Sequence, residues 1–190
     1  MINKVFCILI FLSLTIAGRS VAQESRTINF PKTEEKPNAI PDKEDLWVFL
    51  LAGQSNMAGR GQVDPIDTIP NPRILSINTS GDLIMAKEPL HFYEPNLKGL
   101  DCGLSFGKEL LKYIPESVSI LLLPTAVGGS SIAQWIGDST YRNVTLLTNF
   151  REKVEIGNTH GQIKGILWHQ GETDSGKPET IEIYDRQLQK

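Results

Sequence analysis

Three continuous apolar runs, at residues 46–52, 118–123 and 163–168, constrain the fold of this chain more than any other feature. Each has the length of a strand, and none alternates apolar with polar residues. That is the pattern of strands covered on both faces, as in a parallel sheet sandwiched by helices. Helix-like stretches lie at residues 104–113, ending before Pro115, at 144–154, with Leu146, Leu147 and Phe150, and at 178–190. Strands alternating with helices define an α/β layer fold. Weaker strands are expected at residues 73–77 and 83–85.

The segment after each strong strand carries the chemistry. Ala52 is followed by Gly53-Gln54-Ser55-Asn56-Met57-Ala58-Gly59, Leu123 by Pro124-Thr125-Ala126-Val127-Gly128-Gly129-Ser130-Ser131, and Trp168 by His169-Gln170-Gly171-Glu172-Thr173-Asp174. In an open parallel sheet the carboxyl ends of the strands share one rim, where ligands bind, so the three segments are expected to converge. Ser55, on a strand-to-helix turn, is placed to act as a nucleophile. Gly128 and Gly129 permit close backbone approach and can aim an N–H at a developing oxyanion, and the amide of Gln170 or Asn56 can add a second donor. Glu172 can orient or charge-stabilise a histidine, or bind substrate. Taken singly, these residues read more readily as a helix cap, a loop and a solvated carboxylate than as a catalytic set. Met57 stands where a G-x-S-x-G elbow has its second glycine, and no lysine follows the Gly-Gly pair as in a P-loop.

The N-terminus divides into two segments ahead of the domain. Lys4 precedes an apolar run over residues 5–17, shorter than the ~20 residues that cross a bilayer, and Ser20 and Ala22 are the small residues of a signal-peptidase site. Residues 1–22 therefore read as a signal peptide, with secretion or export to a periplasm expected and no membrane attachment after cleavage. Residues 23–45, with three prolines and six acidic residues, read as a flexible linker. The organised domain is expected at residues 46–190. The formal net charge of −3, with no clustered basic surface, argues against a nucleic-acid partner. No His, Cys or carboxylate residues stand at a ligand spacing with supporting partners, so neither metal nor cofactor is expected.

Together the three motifs resemble those of the SGNH/GDSL-like hydrolases, and within them the carbohydrate esterases of the sialate O-acetylesterase and acetylxylan esterase type. The resemblance covers residues 46–190 and extends to Ile132 and Trp135 after the second motif. It implies a three-layer α/β/α sandwich, flavodoxin-like, with a parallel sheet of about five strands. It also implies Ser55 as the acyl-accepting nucleophile, with an oxyanion hole formed by the Ser55 backbone, a glycine of the 128–129 pair and Gln170. Gln54, Asn56, Trp135 and His169 are expected to line the substrate site, and Glu172 to be a site carboxylate, as triad member or as binder.

Two departures from the resemblance stand out. Such enzymes draw their base from an Asp-x-x-His pair near the end of the domain, and no Asp here is followed by His three positions later. The expectation is a fragment that lacks a final strand, the catalytic His and a closing helix, and that has little turnover by itself. The second departure is Asp101-Cys102-Gly103, where relatives tend to have a Gly-Pro-Gly-like turn. His169 is the histidine beside the site, whereas His91 and His160 read as solvated or structural. Trp135 and Tyr141 can stack on a sugar ring. Three functions follow from this reading: a secreted serine esterase removing acetyl groups from carbohydrates, a non-catalytic carbohydrate-binding relative, and an SGNH lipase or thioesterase. The oligomeric state is left open.

Overall fold

The computed structural model describes residues 27–190, so the expected signal peptide lies outside the described residues. The strands in chain order are β1 (Leu46–Gly53), β2 (Ile74–Ile77), β3 (Leu83–Met85), β4 (Ser119–Pro124), a small antiparallel hairpin of β5 (Thr140–Tyr141) and β6 (Val144–Thr145), and β7 (Gln162–His169). The helices are α1 (Ser55–Ala58), α2 (Gly103–Leu110), α3 (Ile132–Ile136), α4 (Leu146–His160) and α5 (Pro178–Leu188). Five strands form one sheet in the order β3-β2-β4-β1-β7. β1 runs parallel to both β4 and β7, β2 runs parallel to β4, and only β3 is antiparallel to its neighbour. The α/β fold expected from the sequence is thus present, on a mixed rather than wholly parallel sheet. The antiparallel β3 follows from the short turn at Asn78–Gly81, which reverses the chain without room for a crossover helix.

The continuous apolar runs divide between two cores because side chains alternate across a strand. Phe49 and Leu51 of β1, Ile74 of β2, and Ile120 and Leu122 of β4 join Met57, Ala58 and Leu104 on one face. Leu46, Val48 and Leu50, with Leu75, Ile77, Leu121 and Leu123, point the other way, where Phe150 and Val154 of α4 cover them. Each fully buried leucine contributes ~2 kcal/mol of transfer free energy. β7 departs from the pattern. Ile166 remains 54% exposed, because this strand is the sheet edge and has a neighbour on one side only.

Two local expectations are revised. The expected helix at 144–154 begins later, at Leu146, since Val144 and Thr145 pair with Tyr141 and Thr140. The described part of the expected linker is fastened to the body of the domain. Met85 donates its backbone N–H to Glu35 O at 2.8 Å, Lys87 Nζ pairs with Glu35 Oε1 at 2.5 Å, and Asn29 Nδ2 donates to Val63 O at 2.9 Å. The Glu35 bond pairs the Met85 N–H at the end of the β3 edge, which would otherwise be unpaired. At the start of α2, the unexpected Asp101 has a structural explanation. Its Oδ1 accepts the Gly103 N–H at 2.6 Å, and its Oδ2 lies 2.8 Å from Nδ1 of the buried His91, which makes His91 structural.

Candidate active site

Parallel register brings the three motifs to one rim. Gly53 at the end of β1 lies opposite His169 at the end of β7, and Leu51 lies opposite Pro124 at the end of β4. The chain leaves β1 through Gly53 at φ +136°, where a Cβ would stand 2.0 Å from His169 O, so only glycine fits. Gln54 N then donates to that same carbonyl at 2.9 Å. Gln54 O accepts from Met57 N and Ala58 N at 3.0 and 2.8 Å, closing the single turn of α1. Met57 and Ala58 bury into the core beneath, which leaves Ser55 half-buried and Asn56 exposed on the upper side.

The second motif is tied to the end of β1. Val127 N and Ser130 Oγ donate to Gly53 O at 3.2 and 3.3 Å. Gly129 turns the loop at φ +82°, with the place of its missing Cβ 3.0 Å from the Tyr141 hydroxyl. The third motif closes the arrangement. Gln170 Nε2 donates to Gln54 Oε1 at 3.2 Å, to Ser130 O at 3.0 Å and to Asp174 Oδ2 at 2.5 Å. Thr173 N also donates to Gln54 Oε1, at 3.2 Å, and Thr173 Oγ1 to Gly129 O at 3.2 Å. Glu172 is exposed. Its Oε1 accepts from Asn56 Nδ2 and lies 3.7 Å from His169 Nε2.

Ser55, Gln54, Asn56, Gly128, Gly129, His169, Gln170 and Glu172 are therefore neighbours along one rim, although the first and last are more than a hundred residues apart. Three expected roles do not match the geometry. The Gly128 N–H is committed to Glu94 Oε2 at 2.6 Å, and a Cβ at Gly128 would stand 2.0 Å from the Arg60 guanidinium. The Gln170 amide faces three acceptors inside the wall, so as placed it holds the motifs together and does not present a donor to the rim. Trp135 is 5% exposed, donates Nε1–H to Ser130 Oγ at 2.9 Å, and packs edge-on against Trp168 and Phe150. Its bulk belongs to the core behind the Gly129 loop, because so buried a ring has little surface left to offer a sugar.

Sequence reasoning missed Glu94, Arg60 and Arg142, and assigned no role to Asp174. Glu94, only 8% exposed, accepts from Arg60 Nη2 at 2.7 Å and from Arg142 Nη1. Asp174, 4% exposed, accepts from Ile132 N at 3.0 Å and from Gln170. An acidic residue beside Pro95 carries no local signal of burial, whereas Asp174 was visible as part of the third motif. The hydrogen bond to Tyr141 raises the Arg142 pKa above its ordinary value, and burial raises those of Tyr184 and Tyr93. Among the described residues no group of three or more His, Cys, Asp or Glu side chains could hold a metal ion, and no helix is long and apolar enough to cross a membrane.

The α/β fold agrees with that of known proteins this chain resembles. A family model described as carbohydrate esterase, sialic acid-specific acetylesterase, matches residues 45–190. The chain belongs to that family of carbohydrate esterases. It is 31% identical over 170 residues to a probable carbohydrate esterase of Arabidopsis thaliana, covering 80% of this chain and 62% of that one. An X-ray structure of an Arabidopsis thaliana protein is 29% identical with a TM-score of 0.67, over 78% of this chain and 66% of the other. The crystal structure of NanS shares the fold at 21% identity and a TM-score of 0.55, over 80% and 64% of the two chains. The chain thus spans about three fifths of the length of the curated relative it matches.

Proposed function

We propose that this chain carries the nucleophile and acyl-binding rim of an exported serine esterase that hydrolyses O-acetyl esters on carbohydrates. Ser55 Oγ attacks the acetyl carbonyl, the sugar hydroxyl leaves with a proton, and water then releases acetate from the acyl-serine. The observation that carries the reading is the fastening of the first motif to the third through Gln54 Oε1, which accepts from both Gln170 and Thr173 and so fixes the turn that presents Ser55. For the oxyanion the proposed donors are the backbone N–H groups of Ser55 and Gly129, since the Gly128 N–H and the Gln170 side-chain amide are directed elsewhere. Glu172, engaged by Asn56 and near His169, is a site carboxylate on the same rim.

A serine hydroxyl needs a base. The family resemblance implies an Asp-x-x-His pair, which residues 1–190 do not contain, so the 190-residue chain alone is expected to turn over little. The test is acetate release from an O-acetylated sugar by the purified protein that carries residues 1–190 and by its Ser55→Ala form. A loss of at least ~10³-fold in the Ser55→Ala protein is expected. Unchanged turnover would overturn the nucleophile assignment. Full turnover by residues 1–190 alone would place the base among them, with His169 the first candidate.

A further inference from the structure

The backbone N–H groups of the second motif, from Val127 to Ile132, can be followed one by one. Val127 donates to Gly53 O at 3.2 Å and Ser130 to Val127 O at 3.3 Å. Gly128 donates to Glu94 Oε2 at 2.6 Å, Ser131 to Gln134 Oε1 at 2.9 Å, and Ile132 to Asp174 Oδ2 at 3.0 Å. Of this run, the Gly129 N–H alone has no acceptor among the described residues. Peptide donors in the wall of a protein are nearly always paired, so a half-buried one left free beside a candidate active site points to a ligand.

The turn that carries this donor is defined by its two flanking peptides. The Ser130 bond to Val127 O closes a β-turn over residues 127–130, with Gly129 at its third position at φ +82°, which is the type II arrangement. The Gly129 N–H belongs to the central peptide of that turn, and a flip to type I would send it to the opposite side. The peptide that follows is held at Gly129 O by Thr173 Oγ1 at 3.2 Å. The peptide that precedes is held by Glu94, 34 residues earlier in the chain and only 8% exposed. A bond from a peptide N–H to an ionised acceptor is roughly twice as strong as a neutral one. The carboxylate is itself fixed at both oxygens, since Oε2 also accepts from Arg60 Nη2 at 2.7 Å and Oε1 accepts from Arg142 Nη1. A Cβ at Gly128 would stand 2.0 Å from the Arg60 guanidinium and 2.7 Å from Glu94 Oε2, so the missing side chain is what lets the carboxylate reach the peptide. Arg60 follows α1 and directs Nη1 to Gly59 O at 2.7 Å, which joins the segment after Ser55 to the same clamp.

We infer that Glu94 is a positioning residue of the ester reaction: it clamps the peptide ahead of the turn, so that the uncommitted Gly129 N–H is held toward the acyl oxygen at Ser55. The inference rests on the reading of this rim as an ester site. Glu94 touches no reacting atom and acts through the backbone, with Arg60 and Arg142 holding the carboxylate in place.

The test follows single amides of the protein that carries residues 1–190 by proton–nitrogen correlation spectra, and it needs no turnover. In the unmutated protein the Gly129 amide should exchange with deuterated solvent at least ~10²-fold faster than those of Gly128 and Ser130. Equal protection of the three overturns the inference without recourse to a variant. Acetate, the product whose carboxylate oxygen stands in for the acyl oxygen, is then titrated, and saturating downfield shifts are expected at the Gly129 and Ser55 amides. In Glu94→Ala the Gly129 shift should be lost while the Ser55 amide still responds. Glu94→Gln, which keeps an oxygen for the Gly128 N–H, should restore it. A Gly129 amide that moves in Glu94→Ala as in the unmutated protein overturns the positioning role. So does loss of both responses without rescue by Glu94→Gln, the mark of a merely structural residue. Should Glu94→Ala not fold, the exchange comparison in the unmutated protein decides. If neither amide answers acetate in the unmutated protein, the ester-site reading falls and the clamp's role falls with it, whereas a Ser55 response with a silent Gly129 overturns the clamp alone.

Discussion

Gln170 Nε2 lies 3.2 Å from Gln54 Oε1, joining two motifs separated by 116 residues of chain. The same nitrogen faces Ser130 O and Asp174 Oδ2, while Tyr184 donates to Gln170 Oε1 at 2.6 Å, so one amide ties the first, second and third rim segments to α5. A group surrounded by three acceptors must be a donor. That requirement explains why an amide stands here and a carboxylate does not.

Replacing Gln170 tests this directly. Gln170→Ala takes the Gln170 donor from Ser130 O and one of two donors each from Gln54 Oε1 and Asp174 Oδ2, and should destabilise the fold by ~2 kcal/mol. Gln170→Glu has nearly the same shape but turns a carboxylate toward Asp174, so it should be less stable than the alanine variant at pH 7. Lowering the pH into the carboxylate range should reverse that order, because a protonated glutamic acid restores a donor. Thermal melts of both variants between pH 4 and 8 provide the check, and a Gln170→Glu protein as stable as native at pH 7 would contradict the network.

Gly53→Ala should be among the most damaging single-atom additions. The new Cβ would meet the His169 carbonyl at 2.0 Å, in a backbone conformation that L-residues avoid, and neither neighbour is a flexible side chain. Separation of β1 from β7 at the rim and a loss of ~3 kcal/mol are expected. Chemical denaturation measures the loss, and hydrogen exchange at Gln54, whose N–H bonds to that carbonyl, locates it.

Glu88 gives the fold a defined pH dependence. It is fully buried. Its Oε2 accepts from Leu90 N and Asp101 N at 3.3 and 3.4 Å, and its Oε1 has no partner among the described residues. Burial, reinforced by the Asp101 charge, raises its pKa well above the usual carboxylate value. The folded state therefore binds this proton more tightly than the unfolded chain, and the associated stability is present in acid and lost as pH rises toward the folded pKa. Glu88→Gln removes that loss. Its melting temperature should exceed that of the native protein by a margin that grows from pH 4.5 upward, and a constant margin would contradict the assignment.

Trp135→Phe should lower stability by ~1–2 kcal/mol through loss of the Nε1–Ser130 bond and of packing against Trp168 and Phe150. Denaturant titration alongside sugar-binding measurements separates this from a role in substrate stacking. Intact stability with weakened sugar binding would return the ring to the substrate.

The apolar runs by themselves specify much of the fold. A strand that is apolar on consecutive residues has to be covered on both faces, and the three strongest strands with their following motifs emerge within a residue of their expected ends. Ser55, Gln54 and Glu172 were legible because they lie in those motifs. Arg60, Glu94 and Arg142 were not, since nothing local marks a carboxylate that will be buried by arginines 34 residues before it and 48 after it. Local sequence also could not say which way an amide or an N–H points. Gly128 and Gln170 looked like oxyanion donors, and Trp135 like a sugar platform, until tertiary contacts supplied acceptors for the first two and a core for the third.

The sequence by itself thus determined where strands begin, which turns sit on the rim and which residue types are available there, because periodicity and glycine placement are local properties of the backbone. Only the tertiary structure decided which of those polar groups face the rim and which are committed inward. A buried donor takes the acceptor that the packing brings within about 3 Å, and that pairing belongs to the whole fold and to no single segment.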